Sequence, residues 1–408
     1  MSSNGSQPLP ILDFAKYCMM LAGIWRLSLP TENPLLRRLY RFYSAFIQVY
    51  FPMFLISLSL QLTISITDNN AQQTLSKTFE QLSYVIGLLT VGVAAVLYQT
   101  NSVKEIITYI IAEDADIARS ADKEELRSHS EQVQFCRRSS FGIAILSVWM
   151  GISMCSVNYW TRFQIDKYKG EHNGSVEMPF AYDLYYYKLN KVEHASILLL
   201  INDASVVVCG LLAASTKIFF FSCIIFPSSI LKRLQIRFRR MAVSEERALV
   251  VMKEFVLQHQ RVIRFIGKLN ASMKYVIFLE FLLNSLNIAT VSFQFISVRT
   301  SLLSIRLSIL HYFKIILFFA FLFTQTFVLG WSANEIKIQS LALANAVYSS
   351  PWYQQCKTIK GMLLIMMVRA QRPLVLTIGP FDAMTTQSAL AIMKASYSYI
   401  SVMMNNYN

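Results

Sequence analysis

The sequence reads as an all-α membrane protein with seven transmembrane helices, a cytosolic N-terminus and an extracellular C-terminus. Composition is the first reason: of 408 residues, 54% are hydrophobic and 15% charged, with a mean hydropathy of +0.41, far from the roughly 25% charge of soluble domains. The second is a set of seven stretches near the length of about 20 residues that crosses a bilayer. The third is an alternation of Lys and Arg between the segments joining those stretches. The formal charge of +14 belongs, in so apolar a chain, to cytosolic loops and lipid headgroups, so no nucleic-acid partner is expected. Residues 1–408 are expected to form one seven-helix unit, because a membrane bundle shares one apolar solvent.

Four stretches are free of Asp, Glu, Lys and Arg: span one at about 42–67, span two at 81–103, span three at 139–161 and span six at 315–334. Three carry charges: span four at 195–225 with Asp203 and Lys217, span five at 273–298 with Lys274 and Glu280, and span seven at 383–404 with Lys394. Residues 361–368 are apolar but too short to cross, and read as a helix leading into the last span. With these spans, the first cytosolic segment (1–41) and the other odd-numbered segments hold 26 Lys and Arg, against 8 in the alternate ones. This places the N-terminus inside. No basic, apolar and small-residue leader stands at the start, so the encoded N-terminus is expected to be retained. The sequon Asn173-Gly174-Ser175 falls in a loop on the outer side, making Asn173 the glycosylation candidate, whereas Asn4 and Asn270 fall inside or at a span edge.

Charges within spans need partners. Asp203 and Lys217 lie 14 residues apart, about 21 Å along a helix axis, and cannot pair directly. Glu280 either faces a vestibule that attracts cations or forms a structural ion pair; Lys274 and Lys314, near span ends, can snorkel. The inner segment 227–272 carries Lys232, Arg233, Arg237, Arg239 and Arg240, then an apolar helical repeat of Val251, Phe255, Val262, Phe265 and Leu269. It reads as a cytosolic helical extension whose arginines face lipid, or as a subunit contact.

Trp331 to Leu376 reads as a helix entering the cytosol, a tight stretch, and a second helix beginning near Tyr353, so 335–382 forms a cytosolic anchor region. Pro373 and the Gly379-Pro380 pair split this helical run before the final span. That span carries Thr385, Thr386, Gln387, Ser388, Lys394, Ser396, Ser398 and Ser401, so one face must meet water or protein. Ser398, Val402 and Asn405 follow at steps of four and three and share a stripe. The stripe suits a water-filled path with an apolar constriction that gates by dewetting, or packing through small residues. The six cysteines show no ligand spacing, and the five histidines are scattered without HExxH, a phosphate-binding glycine loop or a nucleophile elbow. No enzyme, cofactor or metal is expected.

Three ordered motifs within about 50 residues then carry a resemblance. Pro351-Trp352-Tyr353, Gln371-Arg372-Pro373-Leu374-Val375-Leu376-Thr377-Ile378-Gly379 and Lys394-Ala395-Ser396-Tyr397-Ser398-Tyr399 resemble the C-terminal signature of the insect odorant receptor family. The resemblance implies a plasma-membrane subunit in olfactory sensory neuron dendrites. It would assemble as a heterotetramer with the odorant receptor co-receptor, passing permeant cations through a central pore lined by the last helix, with membrane lipid around it. Val402 falls where that family has its apolar gate and Asn405 at the polar position beyond it, which is more often Gln. The segment before span five is about 45 residues, shorter than in the co-receptor, which implies a ligand-tuning subunit. The implied pocket for a small volatile ligand lies in the outer half among spans two, three, four and six. Tyr84, Leu88, Val148, Gly151, Met154, Cys155, Val206, Cys209 and Phe323 are its candidate residues.

Two neighbouring readings differ in identifiable ways. A G-protein-coupled receptor has its N-terminus outside, and the Asp-Arg-Tyr, Asn-Pro-x-x-Tyr and outer cysteines of that class are missing here. A gustatory-type channel usually ends in Thr-Tyr followed by Gln-Phe, unlike Ser398-Tyr399 and Asn405-Asn406. A transporter would show broken helices in both halves, and only one Gly-Pro break occurs.

Overall fold

In the computed structural model the described residues are 10–25, 33–67, 71–119, 122–168, 195–240, 245–300 and 305–407. A short helix α1 (Asp13–Leu21) precedes α2 (Pro34–Thr67), α3 (Ala71–Leu97) and α4 (Asn101–Ala118). Four long helices follow: α5 (Lys123–Tyr168), α6 (Ala195–Arg239), α7 (Glu245–Thr300) and α8 (Ile305–Tyr348). A 3₁₀ turn at Trp352–Gln354 leads to α9 (Lys357–Ala370), a two-stranded hairpin of β1 (Thr377–Ile378) and β2 (Asp382–Ala383), and α10 (Thr386–Tyr407). Among the described residues six helices, α2, α3, α5, α6, α7 and α8, have the length and apolarity to cross a membrane. The seventh expected span corresponds to α10, whose 22 residues are long enough for a crossing but more polar.

Helices α5 to α8 contain 46, 45, 56 and 44 residues. At 1.5 Å per residue they run ~66–84 Å, more than twice the ~30 Å hydrocarbon core. Each therefore continues well past the membrane, which explains why the described parts of the basic segment 227–272 lie mostly in the ends of α6 and α7. α6 is the central element. Its run Phe219, Phe220, Phe221, then Phe226 and Phe238, is almost wholly buried, as a helix apolar on every side must be.

At the basic end of α6 four of the five cations are paired within the chain. Glu125 at the start of α5 accepts bonds from Arg233 Nε and Arg237 Nε, each at 2.6 Å, while Lys232 lies 3.2 Å from Glu335 of α8 and Arg240 pairs with Asp122 and Glu124. These cations are neutralised within the chain. Their geometry ties α5, α6 and α8 together at one end of the bundle.

Two boundaries differ from the sequence reading. Span two was expected to run to residue 103, but α3 ends at Leu97. Tyr98 turns its hydroxyl onto the Thr216 carbonyl of α6 at 2.7 Å, Thr100 takes up the Leu97 carbonyl at 2.7 Å, and the chain restarts as α4. Residues 361–368 do not lead into the last span, because they sit in a separate helix, α9. The Gly379-Pro380 break is present as the turn of the β1–β2 hairpin. Gly379 has φ +58°, a backbone region open to glycine and disfavoured for residues with a Cβ. The hairpin is strapped to the long helices: Gly379 N–H donates to the Lys274 carbonyl at 2.9 Å, Thr377 N–H to Asn270 Oδ1 at 2.9 Å, and Leu374 N–H to Ser340 Oγ at 3.0 Å.

Candidate functional site

A cavity of about 120 Å³ lies among α3, α5, α6, α7 and α8, with Phe54 of α2 at one side. Helical spacing builds its walls. Tyr84, Leu88 and Val91 share a face of α3; Ser147, Met150, Gly151 and Met154 share one of α5; Ser205, Val206, Cys209 and Ala213 share one of α6. α8 contributes Phe318, Phe321, Leu322 and Gln325, and α7 contributes Asn284 and Asn287. The lining is mainly aliphatic, aromatic and sulfur-bearing.

Most polar groups around this space are already satisfied. Thr90 Oγ1 donates to the Gly87 carbonyl at 2.6 Å, Ser147 Oγ to Ile143 at 2.8 Å and Ser205 Oγ to Ile201 at 2.7 Å. Ser83 accepts from Gln294 Nε2 at 3.0 Å. Beside the cavity, Glu80 accepts from the Tyr84 hydroxyl at 3.2 Å and pairs with Lys314. On α6, Lys217 pairs with Glu280 of α7, both side chains about 5% exposed or less. Glu280 is thus held in a structural ion pair rather than facing a vestibule. Lys274 lies 4.8 Å from the ring centroid of Tyr275.

Of the nine residues expected around the pocket, Tyr84, Leu88, Gly151, Met154, Val206 and Cys209 line the cavity. Val148, Cys155 and Phe323 do not. Val148 is 58% exposed, one residue and therefore about 100° round the helix from Ser147. Cys155 turns to Asp203 of α6, and Phe323 packs on a separate cluster with Ile288, Val291, Ile315 and Leu322. In an apolar span a lipid-facing residue and a cavity-facing one look alike, and only the register tells them apart. Asn284 and Asn287 were not anticipated, although a signal existed: with Glu280 they form a polar stripe at steps of four and three in an apolar span.

The expected pore stripe lies on α10. Ser398 is exposed and its Oγ donates to the Lys394 carbonyl at 3.2 Å; at Val402 and Asn405 the helix backbone is described and the side chains lie outside the described set. α10 packs on α7 and α8. At Gly330 of α8 a Cβ would stand 2.7 Å from Ala389 Cβ and 2.8 Å from the Thr385 carbonyl oxygen, so α8 and α10 touch nearly backbone to backbone. Asn173 lies outside the described residues. Among the described residues no group of three His, Cys, Asp or Glu is arranged for a metal ion, and all six cysteines are free thiols.

A family model, the 7tm odorant receptor, matches residues 85–397. Odorant receptor 10 of Aedes albopictus is 32% identical over 158 residues, which are 38% of this chain and 39% of that protein. Odorant receptor Or2 of Anopheles gambiae is 29% identical over 157 residues, again 38% and 39% of the two chains. These alignments span about two fifths of the length of the curated relatives. Among solved structures, the insect olfactory receptor OR5 from Machilis hrabei superposes with a TM-score of 0.76 at 14% identity, covering 96% of this chain and 97% of that one. The same receptor in complex with eugenol gives 0.74 at 15%, covering 97% of both. At such identity these two likenesses speak to the fold.

Proposed function

This chain belongs to the 7tm odorant receptor family, a multi-pass plasma-membrane protein, and from that premise we propose that it is the odorant-binding, tuning subunit of a ligand-gated, non-selective cation channel. The observation that carries the reading is the largely apolar cavity of about 120 Å³ lined by five helices. Its size is close to that of engineered apolar cavities of about 150 Å³ that take up benzene, and a ligand there gains affinity from burial at about 25 cal/mol per Å². The solved relative bound to eugenol supports a small volatile as the ligand class.

Coupling runs through α8 in this proposal. Leu322 and Gln325 border the cavity, and Gly330, one to two turns on, seats α10 against the same helix. A ligand that shifts α8 by a fraction of an ångström therefore acts on the helix proposed to line the pore, because packed interfaces are bistable rather than softly deformable. The pore residues are Ser398, Val402 and Asn405, with Val402 as the apolar gate. The pore is completed in a heterotetramer with the odorant receptor co-receptor.

The test is whole-cell current in cells expressing the chain with and without an insect co-receptor, under a panel of volatiles and with G-protein signalling blocked. A fast inward cation current that needs both chains is expected, and second-messenger signals without current would overturn the channel reading. Val402→Asp should change conductance or ion selectivity; unchanged permeation removes α10 from the pore.

A further inference from the structure

The cavity wall formed by α7 differs in kind from the others. Asn284 and Asn287 are 3% and 0% exposed, both line the cavity, and the amide nitrogen of each is buried without a hydrogen-bond partner. The hydroxyls around them close onto backbone carbonyls of their own helices, and Lys217 is taken up by Glu280. The free end of Asn287 is defined by its neighbours. Thr290 Oγ1 lies 3.5 Å from its Oδ1, while on the facing helix a Cβ at Gly87 would come within 3.5 Å of its Nδ2, so the NH₂ group points toward α3 across the cavity edge.

A buried, unpaired amide donor costs about 1–3 kcal/mol, and a partner inside the cavity removes that cost. Two such donors at steps of three on one helix face make a directional feature in an otherwise dispersive pocket. We infer that Asn284 and Asn287 read the ligand's heteroatom, and that the chain is tuned to compact, mainly apolar volatiles bearing one hydrogen-bond acceptor, such as a carbonyl or ether oxygen, over hydrocarbons of the same shape. The inference rests on the odorant-receptor reading of the cavity and adds the ligand's chemical class. Discrimination follows from the asymmetry of polar sites: an isostere without the acceptor fills the same volume but leaves both donors unmet.

The experiment uses matched pairs: acetophenone against isopropylbenzene, and anisole against ethylbenzene. Each is applied to the receptor complex for current, and to the purified chain for the shift in thermal midpoint. The oxygenated member of each pair should act at the lower concentration. Asn287→Leu and Asn284→Leu should each narrow that preference, read as the ratio of potencies within a pair, by about 3- to 10-fold, the range of one net neutral hydrogen bond. Asn287→Ser, which keeps a donor, should retain part of the preference, and ligand-free midpoints identify any variant that fails to fold. Equal potency within the wild-type pairs, or equal loss for both members in the Leu variants, overturns the assignment while leaving the receptor reading intact. No binding and no current from any member overturns both.

Discussion

Lys217 and Glu280 show how a single pair can decide the reading of a membrane helix. Each is costly alone in hydrocarbon, and removing one partner leaves an uncompensated buried charge worth about 3–5 kcal/mol. Lys217→Met is therefore expected to lower the melting midpoint of the solubilised protein strongly, whereas Lys217→Met combined with Glu280→Leu should recover most of the loss; a double variant no better than the single one would remove the pair from the stability of the core. On α4, Asp114 is 5% exposed. It accepts the Ile11 N–H at 2.8 Å and lies 3.3 Å from His129 Nε2, so it pins the N-terminal segment. Burial pushes its carboxyl up to about 7, with Asp13 and Glu113 adding to the rise and the Ile11 bond opposing it. A folded-state value above the unfolded ~3.9 means the native chain holds the extra proton between those limits. The stabilising contribution is thus full below pH ~4 and lost as pH rises through about 7. Asp114→Asn should remove this slope, so its midpoint relative to wild type is highest at pH 8 and falls toward pH 5; a constant difference would contradict the assignment.

At the scale of elements, the hairpin between α9 and α10 shows what the Gln-Arg-Pro-Leu-Val-Leu-Thr-Ile-Gly run does physically. Its backbone groups are received one by one by Ser340, Asn270 and Lys274, and the Phe381 ring packs at a tilt against Phe278, 5.2 Å between ring centroids. Asn270→Ala would leave the Thr377 N–H without its acceptor, a cost of about 1–3 kcal/mol, read as a lower thermal midpoint; an unchanged midpoint would show that the strap is dispensable. Gly330→Ala acts on the α8–α10 crossing. A methyl group there meets backbone, so the helices must separate, at about 1–3 kcal/mol for overpacking. Altered gating together with lower stability is expected, and wild-type behaviour in both would show that the crossing relaxes freely. The motif was legible as a motif, and the break was legible from Gly379 and Pro380. That the break is a strand pair docked on α7 was not, because the docking partners lie about 100 residues away in the chain.

At the scale of the molecule, the lengths of α5 to α8 carry the bundle well beyond the thickness of a bilayer. One end of the bundle carries the Glu125, Arg233 and Arg237 cluster with the hairpin; the apolar halves surround the cavity. The proposed orientation has a direct check. If the N-terminus is cytosolic, Asn173 is the glycosylated sequon, and endoglycosidase should shift the mobility of wild type but not of Asn173→Gln, with Asn4 and Asn270 unmodified. A glycan on Asn4 instead would invert the topology.

Composition, the spacing of apolar stretches and the distribution of Lys and Arg were enough to define an all-helical membrane bundle, since bilayer thickness imposes a length on each span and each backbone polar group must be satisfied within its own helix. Three short motifs were enough to point to the family. Which face of each helix looks inward was decided only by the tertiary structure. Val148, Cys155 and Phe323 have the composition of pocket residues and fall outside the cavity, while Asn284 and Asn287 have the composition of packing polar residues and fall within it. The reason is the solvent: where lipid and cavity are equally apolar, hydrophobicity carries no direction, and a rotation of 100° per residue becomes visible only once the helices are packed against one another.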